Sequence, residues 1–232
     1  MALLTPLESE ALELSLRVGL VSVTASLPFG LAIAWLLARR EFYGKTVLSI
    51  IVHLPLVLPP VVVGYALLVL FGRNGPLGKL LYDAFGITLA FTWKGAALAS
   101  AAMAFPLMVR AMRLSIEVID RRLEAAARTL GAGRLRVFVT ITLPLMLPGI
   151  LTGAILAFAR SIGEFGATII FVSNIPGETR TLPLALYAVA EVPGGDFAAA
   201  RLALLSVLLA AAAVVLSEFA ARRIDHRVRG LA

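Results

Sequence analysis

Val18 to Ala38 contains no charged residue. An α-helix rises about 1.5 Å per residue, so about twenty apolar residues in a row cross the hydrocarbon core of a bilayer. The chain repeats the pattern. Val47 to Gly72 is interrupted only by His53, Ala84 to Val109 carries only Lys94, and Val137 to Ala159 is uncharged. Phe197 to Ala221 is a fifth run, with Arg201 near its start. Hydrophobic residues make up 60% of the chain and mean hydropathy is +0.95, well above a globular composition. The pattern predicts an all-α polytopic membrane protein with about five transmembrane helices, residues 1–232 forming a single membrane domain.

Punctuation between the runs refines this. Arg39 and Arg40 close the first. The second holds Pro55, Pro59 and Pro60 and should kink or break, because proline lacks the helical N–H and its ring opposes the preceding turn. A pathway-lining kink and a packing kink both fit. Gly72 to Asp83 is a loop with a short amphipathic piece. Lys94 beside Trp93 marks an interface where lysine can snorkel. The fourth span is expected to begin near Pro144 or Pro148 and to end near Val172. Its Gly149, Gly153 and Ala157 form a small-residue face for close helix packing. Ser173 to Thr181 is loop. Leu182 to Ala190 is too short to span and should lie at the interface or half inserted. Pro193, Gly194 and Gly195 break the chain before the last run.

The net charge is +7, with a pI near 10.5. The basic residues fall between uncharged runs and form no continuous face, which excludes a nucleic-acid partner. With five spans, Arg39, Arg40, Lys45, Arg110, Arg113, Arg121, Arg122, Arg128, Arg134, Arg136 and the tail Arg222, Arg223, Arg227 and Arg229 share one side. The other side holds Arg73, Lys79, Lys94, Arg180 and Arg201. The positive-inside rule then places the N-terminus outside and the C-terminus in the cytoplasm. The N-terminus has no basic start before an apolar core, so the first span itself is the expected targeting signal.

Catalytic chemistry finds little purchase. There is no cysteine, and His53 and His226 give no metal-ligand spacing, so no metal or other cofactor is expected. Gly44-Lys45-Thr46 ends like a phosphate-binding loop, but the motif's first glycine falls on Arg39, and a short polar loop is the expectation. A membrane enzyme or scaffold would need a catalytic set that the sequence does not display. The exceptional ionisable groups are Arg160 and Glu164, four residues apart in the fourth apolar region and so expected on one helical face. Charges in a membrane usually face a bundle interior or an aqueous path. A gate or pathway lining, with the hydroxyls of Ser161 and Thr168 beside Arg160, and a structural ion pair weigh equally here.

The segment from Glu124 to Pro144, EAAARTLGAGRLRVFVTITLP, links the third and fourth spans. Alanines 125 to 127 favour a helical turn, and Gly131 can close it. A short helix from about Leu123 to Leu130 is expected, with Arg128, Arg134 and Arg136 free to meet acidic groups or lipid phosphates. The spacing of Gly131, Ile141, Leu143 and Pro144 resembles the cytoplasmic EAA loop of ABC importer permeases. That resemblance implies a type I ABC importer permease fold, with a coupling loop over about 117–144 that docks a short helix on the ATPase. Ala125, Ala126 and Ala127 fall on the family's Glu-Ala-Ala positions, and Glu124 stands one residue early. Glu124 is therefore expected to matter less to coupling than Gly131.

Ala157 to Phe171 (AFARSIGEFGATIIF), Ser173 to Tyr187 (SNIPGETRTLPLALY) and His53 to Tyr65 (HLPLVLPPVVVGY) resemble the molybdate permeases within that family, over nearly the whole chain. Sulfate and thiosulfate permeases share the GEFG-like region but generally not NIPGETRT. The resemblance implies a permease homodimer, two cytoplasmic ATPase subunits and a periplasmic molybdate-binding protein in the inner membrane. A tetrahedral oxyanion would move inward by alternating access, and ATP hydrolysis would belong to a separate subunit. Sulfate, thiosulfate or tungstate is the alternative cargo.

Overall fold

The helices begin where the sequence supplies caps and end at glycine, proline or charge. α1 (Pro6–Arg39) starts at Thr5: the Glu8 N–H donates to the Thr5 hydroxyl at 3.3 Å, and the Thr5 N–H donates to Glu8 Oε2 at 2.7 Å. This reciprocal capping box draws the charged stretch before Val18 into the helix. The structure, a computed structural model, describes residues 4–229. The side chains of the basic tail, Arg222, Arg223, His226, Arg227 and Arg229, lie outside what is described.

The second run is broken as its prolines require. α2 (Lys45–Val57) and α3 (Pro60–Phe71) meet at Leu58 and Pro59 with a bend of 117°. Pro60 opens α3, where a missing N–H has no helical partner to lose. α4 (Pro76–Phe85) is the amphipathic piece, closed by Gly86 at φ 65°. α5 (Trp93–Glu117) starts well after Ala84, because Gly86 ends one helix and Thr92 caps the next by accepting from the Gly95 N–H. It then runs on past Val109, through Arg110 and Arg113.

α6 (Arg121–Thr129) is the short loop helix. α7 (Arg134–Val137), a π-helical turn at Phe138–Thr142 and α8 (Leu143–Ile162) follow as one continuous rod. The fourth span thus begins at Arg134, not at Pro144 or Pro148, and Leu143 and Pro144 lie within the continuous helix. Pro144 has no N–H, and its ring opposes the Thr140 carbonyl. The π turn just before it, where the Leu143 N–H reaches back to the Phe138 carbonyl, widens the helix at that point. The span breaks at Gly163 to Phe165 and resumes as α9 (Gly166–Val172). α10 (Leu182–Ala190) has the expected bounds, and α11 (Asp196–Arg229) is the last span. Among the described residues, four helices are long and apolar enough to cross a membrane, and the α2–α3 pair makes five.

α5 is the hub, packed against both α1 and α8. Lipid is as apolar as leucine, so close van der Waals contact has to hold such helices together. A Cβ on Gly149 would lie 2.2 Å from Ser115 Cβ, and one on Gly153 would lie 2.9 Å from the Met108 carbonyl oxygen. Ala157 on the same face is fully buried. α3 rests on α9 just as tightly: a Cβ on Gly64 would be 2.5 Å from the Ala167 carbonyl oxygen.

One end of the bundle is stitched by polar contacts between distant segments. Arg201 on α11 pairs with Glu8 on α1 at 2.8 Å. The Leu182 N–H donates to Ser15 Oγ at 2.7 Å, and the Trp93 N–H donates to Glu178 Oε1 at 3.2 Å. Arg17 lies over the Trp93 ring, 3.8 Å from its centroid. The 173–181 loop is folded on itself. The Ile175 N–H donates to Thr179 Oγ1, the Thr179 hydroxyl donates to the Ser173 carbonyl, and Asn174 bridges Arg180 and the Leu184 carbonyl. The NIPGETRT stretch is therefore a compact cap on this end.

Candidate coupling and translocation site

The opposite end gathers the termini of α1, α5 and the α7–α8 rod around α6. Asp120 caps α6 by accepting from the Arg122 N–H at 2.9 Å. At its far end the Gly131 N–H donates to the Arg128 carbonyl and the Ala132 N–H to the Ala127 carbonyl, both at 3.0 Å. This is a Schellman closure, with Gly131 at φ 86°. The expected glycine stop is present, and the helix occupies 121–129, two residues ahead of the expected start. No residue of α6 is buried: Ala125 and Ala126 are exposed and Ala127 is half-buried.

Glu124 fixes this bare helix to the rest of the protein. Its Oε1 lies 3.1 Å from Arg39 Nη2 and accepts a 3.0 Å hydrogen bond from the Thr142 hydroxyl. Arg39 also donates to the Ile119 carbonyl at 3.1 Å, and Arg121 donates to the Ala38 carbonyl at 3.4 Å. One carboxylate therefore joins α6, the end of α1 and the π-helical turn. The one-residue offset from the family's acidic position does not leave Glu124 idle. The pairing spans 85 positions in the chain, and no local pattern signals it. Ile141 lies in the π turn, half-buried, while Leu143 and the exposed Pro144 open α8.

Arg160 and Glu164 do come together, but across the break and not on one continuous helix. Arg160 Nη1 is 2.7 Å from Glu164 Oε2, a close ionic contact without hydrogen-bond alignment. Glu164 is 1% exposed and its other oxygen accepts the Ala167 N–H at 2.7 Å, so the carboxylate closes the break and caps α9. Arg160 is 29% exposed. The Ser22 hydroxyl donates to the Gly19 carbonyl, so the 2.9 Å contact with Ser161 has Ser161 as donor. The Thr168 hydroxyl donates to the Phe165 carbonyl at 2.8 Å. Ser161 and Thr168 are buried with protein partners; of the four residues, Arg160 is the one that reaches toward an accessible surface.

A bundle with a broken span, an exposed glycine-closed helix at one end and a polar stitch at the other has the form of a transporter's membrane subunit. The profile of the binding-protein-dependent transport system inner membrane component matches residues 26–230, and the chain belongs to that family. It is 62% identical over 220 residues to the molybdenum transport system permease protein ModB of Escherichia coli strain K12, covering 95% of this chain and 96% of the relative. Identity to the protein of the same name from Haemophilus influenzae is 56%, over 96% of this chain and 97% of the relative. The sulfate transport system permease protein CysW of Synechococcus elongatus is 41% identical, over 75% of this chain and 61% of the relative. Among solved structures, a bacterial ABC transporter that imports alginate matches with TM-score 0.72 at 17% identity, over 95% of this chain and 81% of that one. An amino acid ABC transporter matches with TM-score 0.64 at 20% identity, over 94% of each. The fold is that of ABC importer permeases.

Proposed function

We infer that this chain is the permease subunit of an ATP-driven importer that carries molybdate into the cytoplasm by alternating access. The observation that carries the cargo assignment is the identity of 62% to a molybdenum permease along nearly the full length of both chains, against 41% to a sulfate permease. The assembly implied is a permease homodimer with two ATPase subunits below and a periplasmic binding protein above. The arginine-rich end faces the cytoplasm and the Glu8–Arg201 end faces out.

The mechanics rest on α6. A helix whose apolar side chains are not fully buried gains little from this chain's core and is suited to lie in a partner's cleft, where the exposed Ala125 and Ala126 allow close approach. Its seat is stiff. Glu124 transmits displacement of α6 to Arg39 at the end of α1 and to Thr142 at the root of α8. α8 leads to the Arg160–Glu164 break and α9, so movement of the rod bears on the place where a gate would sit. There Arg160 offers positive charge to an oxyanion while Glu164, held by the Ala167 N–H, limits how tightly an anion rests.

Complementation tests the cargo. In cells lacking their own molybdenum permease, this chain should restore molybdate uptake at trace concentration. In cells lacking a sulfate permease it should not restore sulfate uptake. The reverse pattern favours the sulfate alternative.

A further inference from the structure

We propose that the cavity between the end of α1, α6 and α7 is a binding site for a phosphate-type tetrahedral anion. This goes beyond coupling, because it assigns a ligand to the seat of the helix and not to the transport path. The cavity measures about 330 Å³, roughly ten times the share of one water in the liquid. Five arginines line it, Arg39, Arg40, Arg121, Arg128 and Arg134, against a single carboxylate, Glu124.

The internal pairing leaves most of this charge unanswered. Arg39 is 7% exposed, and both of its internal contacts use Nη2; its Nε is buried with no hydrogen-bond partner among the described residues. Glu124 is already shared between Arg39 and Thr142. Arg40 sits 5.5 Å from the Trp35 ring centroid, and Arg121 donates to a carbonyl, with Glu41, outside the cavity, as a longer-range electrostatic partner. Arg128 and Arg134 are exposed and make no ion pair among the described residues. A buried cation with an unmade hydrogen bond is costly, and several like charges around one concavity repel each other. Guanidinium forks from three helices match the several oxygens of a tetrahedral anion, which a single carboxylate does not fill. Two sources share this chemistry: the headgroup of an anionic phospholipid and a soluble phosphate-like oxyanion.

The test uses the full chain purified in detergent with the subunits that accompany it, so it depends on neither orientation nor transport. In one arm, inorganic phosphate is compared with chloride at equal ionic strength by the thermal unfolding midpoint. In the other, retention of phosphatidylglycerol is compared with phosphatidylcholine by native mass spectrometry. Stabilisation in the first arm that the cavity variants lose identifies a soluble anion, and selective retention in the second that they lose identifies the lipid headgroup; either supports the site, whereas stabilisation that the variants keep is the general salting effect of phosphate or its binding to the ATPase. Arg128→Gln/Arg134→Gln should then weaken that binding by about tenfold or more, the loss expected for charged hydrogen bonds. Arg136→Gln, exposed but outside the cavity, should leave it intact. Arg128→Gln alone serves if the double variant does not accumulate. The site is overturned if neither probe exceeds its control, if the cavity variants bind like the wild type, or if Arg136→Gln loses as much as they do.

Discussion

Glu124→Ala should be among the most damaging single changes at the coupling end. Arg39 and Glu124 are 7% and 16% exposed, so this is a largely buried pair. Removing one partner of such a pair costs about 3–5 kcal/mol, chiefly because the other charge is left stranded. Here the Ile119 carbonyl still holds Arg39, and the neighbouring cavity admits water, which lowers the figure. The buried Thr142 hydroxyl loses its acceptor, which raises it by about 1 kcal/mol. The net expectation is about 2–3 kcal/mol, or a fall of about 5–10 °C in unfolding midpoint for a chain of this size. The assay is thermal unfolding of the detergent-purified protein, with copurification of the ATPase measured alongside. Arg39→Met and the double change complete a cycle, and the pair should show a coupling energy of at least about 1 kcal/mol. If Glu124→Ala melts within about 2 °C of the wild type and retains its partner, the carboxylate is not what seats α6.

Gly131→Val should weaken ATPase docking and transport while sparing membrane insertion. No atom crowds a Cβ there, so the cost is the left-handed backbone alone, about 1–2 kcal/mol, and Gly131→Asn should recover much of it. Gly149→Leu should destabilise the bundle by about 1–3 kcal/mol or more in a thermal assay, because Ser115 leaves no room. Glu164→Gln should impair folding or transport more than Arg160→Met/Glu164→Gln; additive effects on the two would show that the pair is not coupled. For orientation, cysteines at Asn74 and Pro176 should react with an impermeant reagent added to sealed cells, and one at Gly133 should not. All three positions are exposed, whereas a side chain at Gly75 would collide with the Val69 carbonyl.

What the sequence revealed is local. Proline spacing exposed the break between α2 and α3, apolar length fixed α10, and Gly131 marked the end of α6, because each depends on residues within a turn or two. Boundaries went astray where hydrophobicity and helix competed. Ala84 to Phe91 is apolar, yet Gly86 and the Thr92 cap spend most of it on a helix end and a turn. The prolines at 144 and 148 set the expected start of the fourth span, but the π turn before Pro144 lets the rod run through from Arg134. The face shared by Arg160 and Glu164 assumed an unbroken helix, and Gly163 broke it. Contacts between distant segments were invisible: Arg39 with Glu124, Glu8 with Arg201 and Glu178 with Trp93 are set by packing. Glu124 is the instructive case: its register points to a minor role, its carboxylate contacts three elements, and Glu124→Ala decides between the two.

The most direct test is uptake in proteoliposomes. Vesicles containing this chain and its ATPase, supplied with a molybdate-binding protein outside and ATP inside, should accumulate radiolabelled molybdate. Uptake should cease without ATP or without this chain and should persist against excess sulfate. Failure to accumulate molybdate in an assembled, ATP-hydrolysing complex, or equal competition by sulfate, would contradict the assignment.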